Sequence, residues 1–293
     1  MKQRTIGALN ISRIMELTQP FPAREFFPDT SEDDWTPHRE WLAAEGAYEL
    51  NSNDILLPMQ CFVIRTSHHT ILVDTCIGND KERPHRPAWH KKTDDTFMNT
   101  LAALDLTPAD IDFVMCTHLH VDHVGWNTRL VDGRWVPTFP NARYLISKKE
   151  LDVFKVEDSP TFSASLVDSV LPVVESGQAE LIAGSDYALD DEVWLEPTPG
   201  HTPDHFAVRL GSNDQHAVLG GDVMHSPVQC LHPEWRPRPD WDPDLARKTR
   251  IDFMERHCED GTLVCMTHFP LPSAGRFVRK GEMFRYDYDG EAW

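Results

Sequence analysis

The sequence predicts an α+β protein in which two β-sheets pack against each other and helices cover their outer faces. Two observations support this prediction. Strand-like segments form two blocks, one in each half of the 293-residue chain, and helical segments lie between them. No linker, fixed-period repeat or low-complexity segment divides the chain, so we expect a single domain over residues 1–293. With 40% hydrophobic residues, such a domain can bury a sizeable core.

Regular structure in the first block is predicted from about residue 56. LLPMQCFVIRT and TILVDT flank a turn and predict a β-hairpin, whereas DDTFMNTLAALDL has the apolar spacing of a helix. IDFVMC and NARYLIS predict buried strands, and 148–174 predicts an insert of two helices, the second interrupted late by Pro172. The preceding residues 20–55 are rich in proline and aromatic residues without a clean period. They predict an irregular segment, either a surface loop or a lid over a pocket.

The second block repeats this style. Four segments are strand-like, namely AELIA, EVWLEP, HFAVRLG and HAVLGGDVM. A helix is predicted for DPDLARKTRIDFMERHC, which has helical apolar spacing after an Asp-Pro start. TLVCMTHF predicts a strand that ends in a histidine, and GRFVRKGEMFRY predicts a closing hairpin.

Charge and composition exclude several classes of partner. The formal net charge is −19, from 47 acidic residues against 28 lysines and arginines, which argues against nucleic acid and anionic membrane surfaces. We find no secretory apolar region and no run approaching the roughly 18 apolar residues of a membrane span. Six scattered cysteines without a CxxC motif predict free thiols, so we expect a cytoplasmic protein.

The stretch THLHVDHVGWN crowds metal-seeking side chains into a few residues. His118 and His120 are two apart at the end of a predicted strand, so an extended backbone places both on one face. Asp122 and His123 follow where the chain turns. Buried groups of this kind need a partner, so the stretch is either a solvated loop or part of a cation site.

Three further segments favour the cation site. His201 follows a Pro-Gly turn in PTPGHTPDH, Asp222 follows two glycines in VLGGDVMHS, and His268 ends the strand in VCMTHFP. Each of these residues alone is more simply read as a satisfied interior or capping residue. Together they predict strand ends that surround a single site.

These motifs resemble, in order, those of the metallo-β-lactamase-fold hydrolases, from DTC at 74–76 through THLHVDH, PGHTPDH and GGD to THF at 267–269. The resemblance implies an αββα four-layer sandwich with the site at one edge of the two sheets. It also implies two divalent metal ions, with zinc preferred and iron, manganese or cobalt as alternatives. The implied ligands are His118, His120 and His201 for the first ion, Asp122, His123 and His268 for the second, and Asp222 between them. Asp74 would orient ligands, and His205 would be structural.

The implied reaction is hydrolysis by a metal-bridging hydroxide, with Asp122, Asp222 and His225 as the catalytic residues. An Asp rather than a Cys at 222 does not resemble the usual antibiotic-degrading β-lactamases. The aromatic N-terminal region and the helix-rich insert at 148–174 look most like the branch of lactonases and methyl-parathion-hydrolase-like enzymes. We therefore expect an enzyme that opens a small lactone or cleaves an ester. Phosphotriesterase activity is the alternative, because His225 occupies a position where signal lactonases typically have Tyr. A non-catalytic metal-binding sensor on the same fold is a less favoured alternative.

The expected partner is a small-molecule substrate, and analogy with the branch adds a homodimer. For residues 232–243, rich in Pro and Trp, a rim loop and a dimer contact are both open. The candidate pocket walls are Phe21, Phe26, Phe27, Trp35, Trp89 and Trp126.

Overall fold

The computed structural model describes residues 3–157, 160–183, 187–212 and 214–290, and shows two sheets packed face to face. The first sheet has eight strands: β1 (Arg4–Ile6), β2 (Leu9–Pro22), β3 (Tyr48–Glu49), β4 (Asp54–Arg65), β5 (Thr70–Val73), β6 (Phe113–Met115), β9 (Arg143–Ser147) and β10 (Ala179–Ile182). The two strands between β6 and β9, β7 (Thr128–Val131) and β8 (Arg134–Pro137), form a separate hairpin. The strand order is β1-β2-β4-β5-β6-β9-β10, and β3 pairs with β4. Pairing is antiparallel from β1 to β5 and parallel from β5 to β10.

The second sheet has six strands, which follow one another in both sequence and space. They are β11 (Val193–Pro197), β12 (Phe206–Ser212), β13 (Gln215–Leu219), β14 (Leu263–Cys265), β15 (Ala274–Lys280) and β16 (Met283–Tyr288). All neighbours are antiparallel except β13 and β14, which run parallel.

Helices cover the two outer faces and the N-terminal edge. They are α1 (Ala23–Phe26), α2 (Glu32–Trp35), α3 (Arg39–Ala44), α4 (Thr96–Ala103), α5 (Lys148–Val156), α6 (Pro160–Ser165), α7 (Leu171–Glu175) and α8 (Pro243–Glu259). Short 3₁₀ turns lie at Pro108–Asp110, Gly125–Asn127 and Pro227–Cys230, and a π-helical turn lies at Leu166–Val170. Among the described residues, no helix has both the length and the apolar character that a membrane crossing requires.

Alternating side chains of the central strands face two different cores. On β4, Phe62 and Ile64 point into the core between the two sheets, whereas Cys61 and Val63 point toward the helices α4 to α7. A third cluster joins the outer face of the second sheet to α8 through residues such as Phe253. Burial of both faces explains why these strands read as nearly continuous apolar runs. The predicted αββα sandwich is confirmed.

The elements predicted from about residue 56 onward occur where expected, with two differences. The segment 128–137 forms the hairpin β7–β8, which we did not predict, because its exposed residues lack apolar alternation. In the second helix of the insert, the interruption begins earlier, as the π-helical turn at Leu166–Val170. Pro172 instead lies in the first turn of α7, where its missing N–H is not needed.

The expectation that regular structure starts near residue 56 is wrong. β2 is the longest strand of the first sheet, with 14 residues, and the supposedly irregular residues 20–55 contain the end of β2, three short helices and β3. The register of β2 shifts between Met15 and Leu17, and two prolines stand near its end. These irregularities obscure the two-residue period that sequence patterns reveal.

Candidate metal centre

The chain directions bring five strand ends to one edge of the sandwich. β5 and β6 are parallel neighbours in the first sheet, and β13 and β14 are parallel neighbours in the second. β11 runs in the same direction as β13, because each pairs antiparallel with β12. Their carboxyl ends lead to Asp74, to the 118–123 stretch, to His201, to Asp222 and to His268. The fold therefore gathers all seven predicted ligands at one place.

Three histidines and Asp222 form the first group of buried ligand-type atoms. His120 Nδ1 lies 3.0 Å from the Nε2 atoms of both His118 and His201. Asp222 Oδ2 lies 3.7 Å from His118 Nε2 and 3.3 Å from His201 Nε2. Ligands about 2.0–2.2 Å from one tetrahedral ion lie roughly 3.3–3.6 Å apart, so these spacings suit a single metal ion.

The second group contains Asp122, His123 and His268. Asp122 Oδ2 lies 3.9 Å from His123 Nε2 and 3.7 Å from His268 Nε2. The other oxygen of Asp222, Oδ1, lies 3.2 Å from His123 Nε2 and 3.1 Å from His268 Nε2. The two carboxylate oxygens of Asp222 therefore face different groups, which is the arrangement that a bridging ligand requires.

Unpaired polar atoms and charge both fit a cationic occupant. His123 Nε2 and Asp222 Oδ1 are buried without a hydrogen-bond partner in the part of the chain that the structure describes, although they are near each other. Burial and the neighbouring imidazoles hold the pKa of His118 and His120 well below the usual histidine value, so both present lone pairs. Burial would also lower the pKa of His123, but Asp222, Asp74 and Asp122 outweigh it and raise that pKa well above its usual value. Carboxylates that favour a positive charge on a buried imidazole in this way also suit divalent cations.

Outer partners fix the orientation of four of the histidines. The Nδ1–H of His123 donates to Asp74 (2.8 Å), and that of His268 donates to the carbonyl oxygen of Pro58 (2.9 Å). His118 Nδ1 lies 3.1 Å from Thr117 Oγ1, whose hydroxyl hydrogen-bonds to Asp74. His201 Nδ1–H donates to Asp240 (2.9 Å). In each case the ring is oriented with Nε2 facing the centre.

The backbone around the centre is specialised. Asp74 has a φ of 64°, an uncommon value for a non-glycine residue that is held here by bonds from Thr117 and His123. Gly221 has a φ of +53°, and a Cβ there would lie 2.6 Å from His205 Nε2. That nitrogen accepts a bond from the backbone N–H of Asp222 (3.0 Å), and the other ring nitrogen contacts Thr198 Oγ1 (2.7 Å). His205 thus positions Asp222 from behind.

His225 is buried beside the predicted ligands. Its Nε2 lies 3.2 Å from Asp222 Oδ2, and its ring is parallel to that of His268 with centroids 5.4 Å apart. Among the described residues, neither ring nitrogen has a hydrogen-bond partner. Burial lowers the pKa of His225 to about 4 despite the nearby Asp222 carboxylate.

A cavity of about 690 Å³ opens onto these residues. His120, Asp122, Asp222, His225 and His268 line its inner end. Three of the predicted aromatic residues, Phe21, Phe26 and Trp89, line its walls.

The other three aromatic predictions are wrong. Phe27 and Trp35 are buried in a hydrophobic cluster that also contains Leu42. Trp126 stacks on Phe97 in the core between the first sheet and helices α4 to α7. A sequence pattern does not distinguish an aromatic residue of the core from one of a pocket wall, because both are apolar contacts.

Sequence reasoning also missed several residues at the site. Phe162, in the predicted helical insert, lines the cavity and stacks on His120 with centroids 5.7 Å apart. Arg238 and Pro239 line the cavity, and Asp240 binds His201, which supports the rim-loop alternative for 232–243. Glu150 had no signal in the sequence. Its carboxylate accepts bonds from the backbone N–H groups of Leu119 (3.4 Å) and Asp204 (3.0 Å), one in each ligand loop.

Comparison with known proteins confirms the predicted family. A family model described as the metallo-beta-lactamase superfamily matches residues 56–259. The chain belongs to the metallo-β-lactamase superfamily. The match extends from β4 to α8 and includes all predicted ligands except His268.

Curated relatives of this superfamily member include several N-acyl homoserine lactonases. One from Bacillus cereus is 25% identical over 179 residues, which cover 57% of this chain and 64% of that relative. One from Bacillus thuringiensis is 24% identical over 175 residues, which cover 56% of this chain and 62% of the relative. The match thus spans slightly less than two thirds of the length of these relatives.

Solved structures resemble the chain over nearly its whole length. AidC, described as a dizinc quorum-quenching lactonase in complex with a product, N-hexanoyl-L-homoserine, aligns with a TM-score of 0.84 at 19% identity. The hydrolase AbOPH of the beta lactamase superfamily aligns with a TM-score of 0.81 at 22% identity. Each alignment covers 99% of this chain and 97% of the other. At these identities the likeness establishes the fold.

Proposed function

We propose that the protein is a dinuclear metal-dependent hydrolase that opens small lactones or cleaves esters. The observation that carries this proposal is the position of Asp222, whose two oxygens face two separate ligand groups at the inner end of an open cavity. His118, His120 and His201 would hold one ion, Asp122, His123 and His268 the other, and Asp222 would bind both. Zinc is our first choice for N/O ligation, and iron, manganese or cobalt would accept the same ligands.

The bound ions would lower the pKa of a shared water toward neutrality and polarise the carbonyl of the substrate. The chain itself supplies the geometry. Asp122 is the most accessible of the ligands, with a side chain 16% exposed, and lies on the cavity side where a substrate arrives. The bonds that His123 and His201 donate through Nδ1–H to Asp74 and Asp240 orient both rings so that Nε2 would face the ions.

His225 is the residue of the chain best placed to assist the leaving oxygen. It lines the cavity next to Asp222, and its ring nitrogens have no hydrogen-bond partner in the described residues. An imidazole N–H at this place can donate to the alkoxide oxygen that forms when the ester bond breaks. Such a donor is worth most in a buried site, where water cannot replace it.

The cavity and the relatives support a lactone or ester substrate. Apolar walls that include Phe21, Trp89 and Phe162 suit an acyl chain or a ring. The curated relatives are N-acyl homoserine lactonases, and AidC was solved with a homoserine product. Homoserine lactones are therefore the first substrates to test.

Phosphotriesterase-type activity is the second candidate. The observation that favours it is His225, because the position typically holds Tyr in the signal lactonases that the sequence resembles. A phosphoryl oxygen between two cations would meet the same electrostatic requirements as a carbonyl oxygen.

A hydrolysis panel on one metal-quantified preparation tests the proposal. It would contain acyl-homoserine lactones of several lengths, simple γ- and δ-lactones, aryl esters and an aryl phosphotriester, all followed by proton release. We expect lactones or esters to be turned over, and chelator or Asp222→Ala to abolish the activity. Preference for the phosphotriester would select the second candidate. A protein that loses only thermal stability with chelator, and never turns over any substrate, would be a metal-binding sensor and would refute the proposal.

A further inference from the structure

Two arginines stand at the mouth of the cavity in a protein whose net charge is −19. Arg86 and Arg238 are both exposed, whereas the aromatic wall residues Phe21, Trp89 and Phe162 are buried. The cavity therefore has a metal-ligand inner end, an apolar middle and a cationic mouth. Local positive charge in an otherwise acidic protein would attract an anionic group of a ligand that enters the cavity.

Arg86 is held by rings rather than by a carboxylate. Its guanidinium carbon lies 4.8 Å from the centroid of Phe21 and 5.5 Å from that of Trp89. Trp89 is itself fixed, since its Nε1–H donates to Gln19 (3.1 Å) and its ring meets Phe21 edge-on. Among the described residues, no carboxylate lies within ion-pair distance of Arg86. Stacking orders the guanidinium while leaving its N–H donors available.

Arg238 presents a second set of donors. Its backbone N–H donates to Phe26 O (2.7 Å) and its Nε–H donates to Glu25 O (2.9 Å). Within the described part of the chain, the rest of its guanidinium has no carboxylate partner. The arginine is therefore anchored by backbone oxygens, which do not neutralise its charge.

Among the described residues, other charged groups at the cavity offset one of these two positive charges and leave the other uncompensated. Arg83 is committed to Asp168 by two bonds of 2.6 and 3.0 Å, and Glu82 pairs with Lys91 at 2.7 Å. Glu25 lines the cavity and offsets one positive charge. One cationic charge remains at the mouth, and a guanidinium fork is the group best suited to a carboxylate.

We propose that the natural substrate carries a carboxylate at the end remote from the scissile ester or lactone bond, and that Arg86 binds this carboxylate. An apolar spacer would cross the region lined by Phe21, Trp89 and Phe162. This inference rests on the proposed hydrolase function, and it narrows the substrate to acyl esters or lactones with an anionic tail.

Matched pairs of probes test the inference. Mono-4-nitrophenyl esters of glutaric to suberic acid are compared with 4-nitrophenyl esters of monoacids of the same chain length, on metal-loaded protein. At one length or more we expect kcat/KM to be higher for the anionic ester. Arg86→Gln should lower kcat/KM for that ester by about ten- to a hundredfold, the value of a charge-assisted bond, and change the neutral ester less than twofold. Arg24→Gln is the control, because Arg24 is exposed outside the cavity lining and its loss changes the net charge equally.

A binding measurement separates this inference from the proposed function. In calorimetry with the metal-loaded protein, the dicarboxylate of the best length should bind at least tenfold tighter than the matching monocarboxylate, and Arg86→Gln should remove the difference. If this preference holds and no ester or lactone is hydrolysed, the proposed function fails and the assignment of an anionic ligand stands. The inference is overturned if no chain length favours the anion, if Arg86→Gln lowers both members of a pair equally, or if Arg24→Gln has the same effect.

Discussion

Replacement of Asp240 by Asn should weaken the metal centre without touching a ligand. Asp240 Oδ1 accepts from His201 Nδ1–H (2.9 Å), and Oδ2 accepts from the Arg250 guanidinium (3.3 Å). The Asp240 and Arg250 side chains are each 1% exposed, and Arg250 is also anchored to the carbonyl oxygens of Val223 and Pro233. Neither partner can turn to water when the carboxylate changes.

The size of the effect follows from donor and acceptor counting. Asn offers one oxygen and one NH₂ group in place of two oxygens. If the oxygen faces His201, the amide N–H groups confront Arg250. In the opposite rotamer they confront His201 Nδ1–H. One buried donor is left without an acceptor in either case, at a cost of about 1–3 kcal/mol. Part of this cost falls on the orientation of His201, so we expect zinc affinity at the first site to fall about ten- to a hundredfold.

Chelator competition on the purified variant measures this affinity directly. Asp242→Asn is the matched control, since Asp242 lies two residues away and uses Oδ1 to cap α8 at Leu245 N (3.0 Å), a bond that Asn can also accept. We expect the control to bind zinc within twofold of the wild type. Wild-type zinc affinity in Asp240→Asn, even with a lowered melting temperature, would refute the claim that Asp240 orients a ligand.

Three further predictions concern other parts of the molecule. His225→Ala should keep the full metal content but lower kcat on the best substrate by about 10²–10³-fold, because one donor to the leaving oxygen is lost. Loss of metal from this variant would instead show that His225 is a ligand. Gly221→Ala places a Cβ 2.6 Å from His205 Nε2 at a φ of +53°, so it should lower both metal content and stability. The control is Gly281→Ala, which has a φ of +66° but open surroundings and should leave metal content intact. Burial lowers the pKa of Lys81 to about 7 from 10.5, so the unfolded chain binds more protons between these pH values and stability should rise with pH across that window. In urea titrations of the metal-saturated protein, the free energy of unfolding should rise relative to that of Lys81→Met by up to about 1.4 kcal/mol per pH unit, and a constant difference would contradict the shift.

Much of the fold was readable because its core strands are apolar on both faces. The hairpin β4–β5, the strands that precede the ligand loops, and α8 all have strong local signals, and each lies where predicted. β2 was not predicted, because a shift in register and two prolines break its period. The hairpin β7–β8 was missed for a different reason, since it lies outside the two main sheets and Thr128 is the one buried residue among its eight described strand residues.

The candidate metal centre was likewise predictable from the sequence only in part. Its predicted ligands follow strand ends in recognisable motifs, so the sequence alone identified His118 or Asp222 as a candidate. The residues that orient those ligands come from distant segments, as Asp240 does for His201 across 39 positions. The Glu150 carboxylate accepts bonds from backbone N–H groups of the ligand loops, so no pattern of ligand-type residues marks it. Such contacts depend on tertiary packing and leave no local trace.

Zinc titration of the metal-free protein, with bound metal and turnover measured on the same samples, tests the central claim most directly. If Asp222 joins two ions in one hydrolytic centre, turnover of the best lactone or ester will require close to two ions per chain. Asp222→Ala will then lose turnover together with binding of at least one ion. Full turnover with a single ion, or Asp222→Ala that keeps both ions and wild-type activity, would contradict the account.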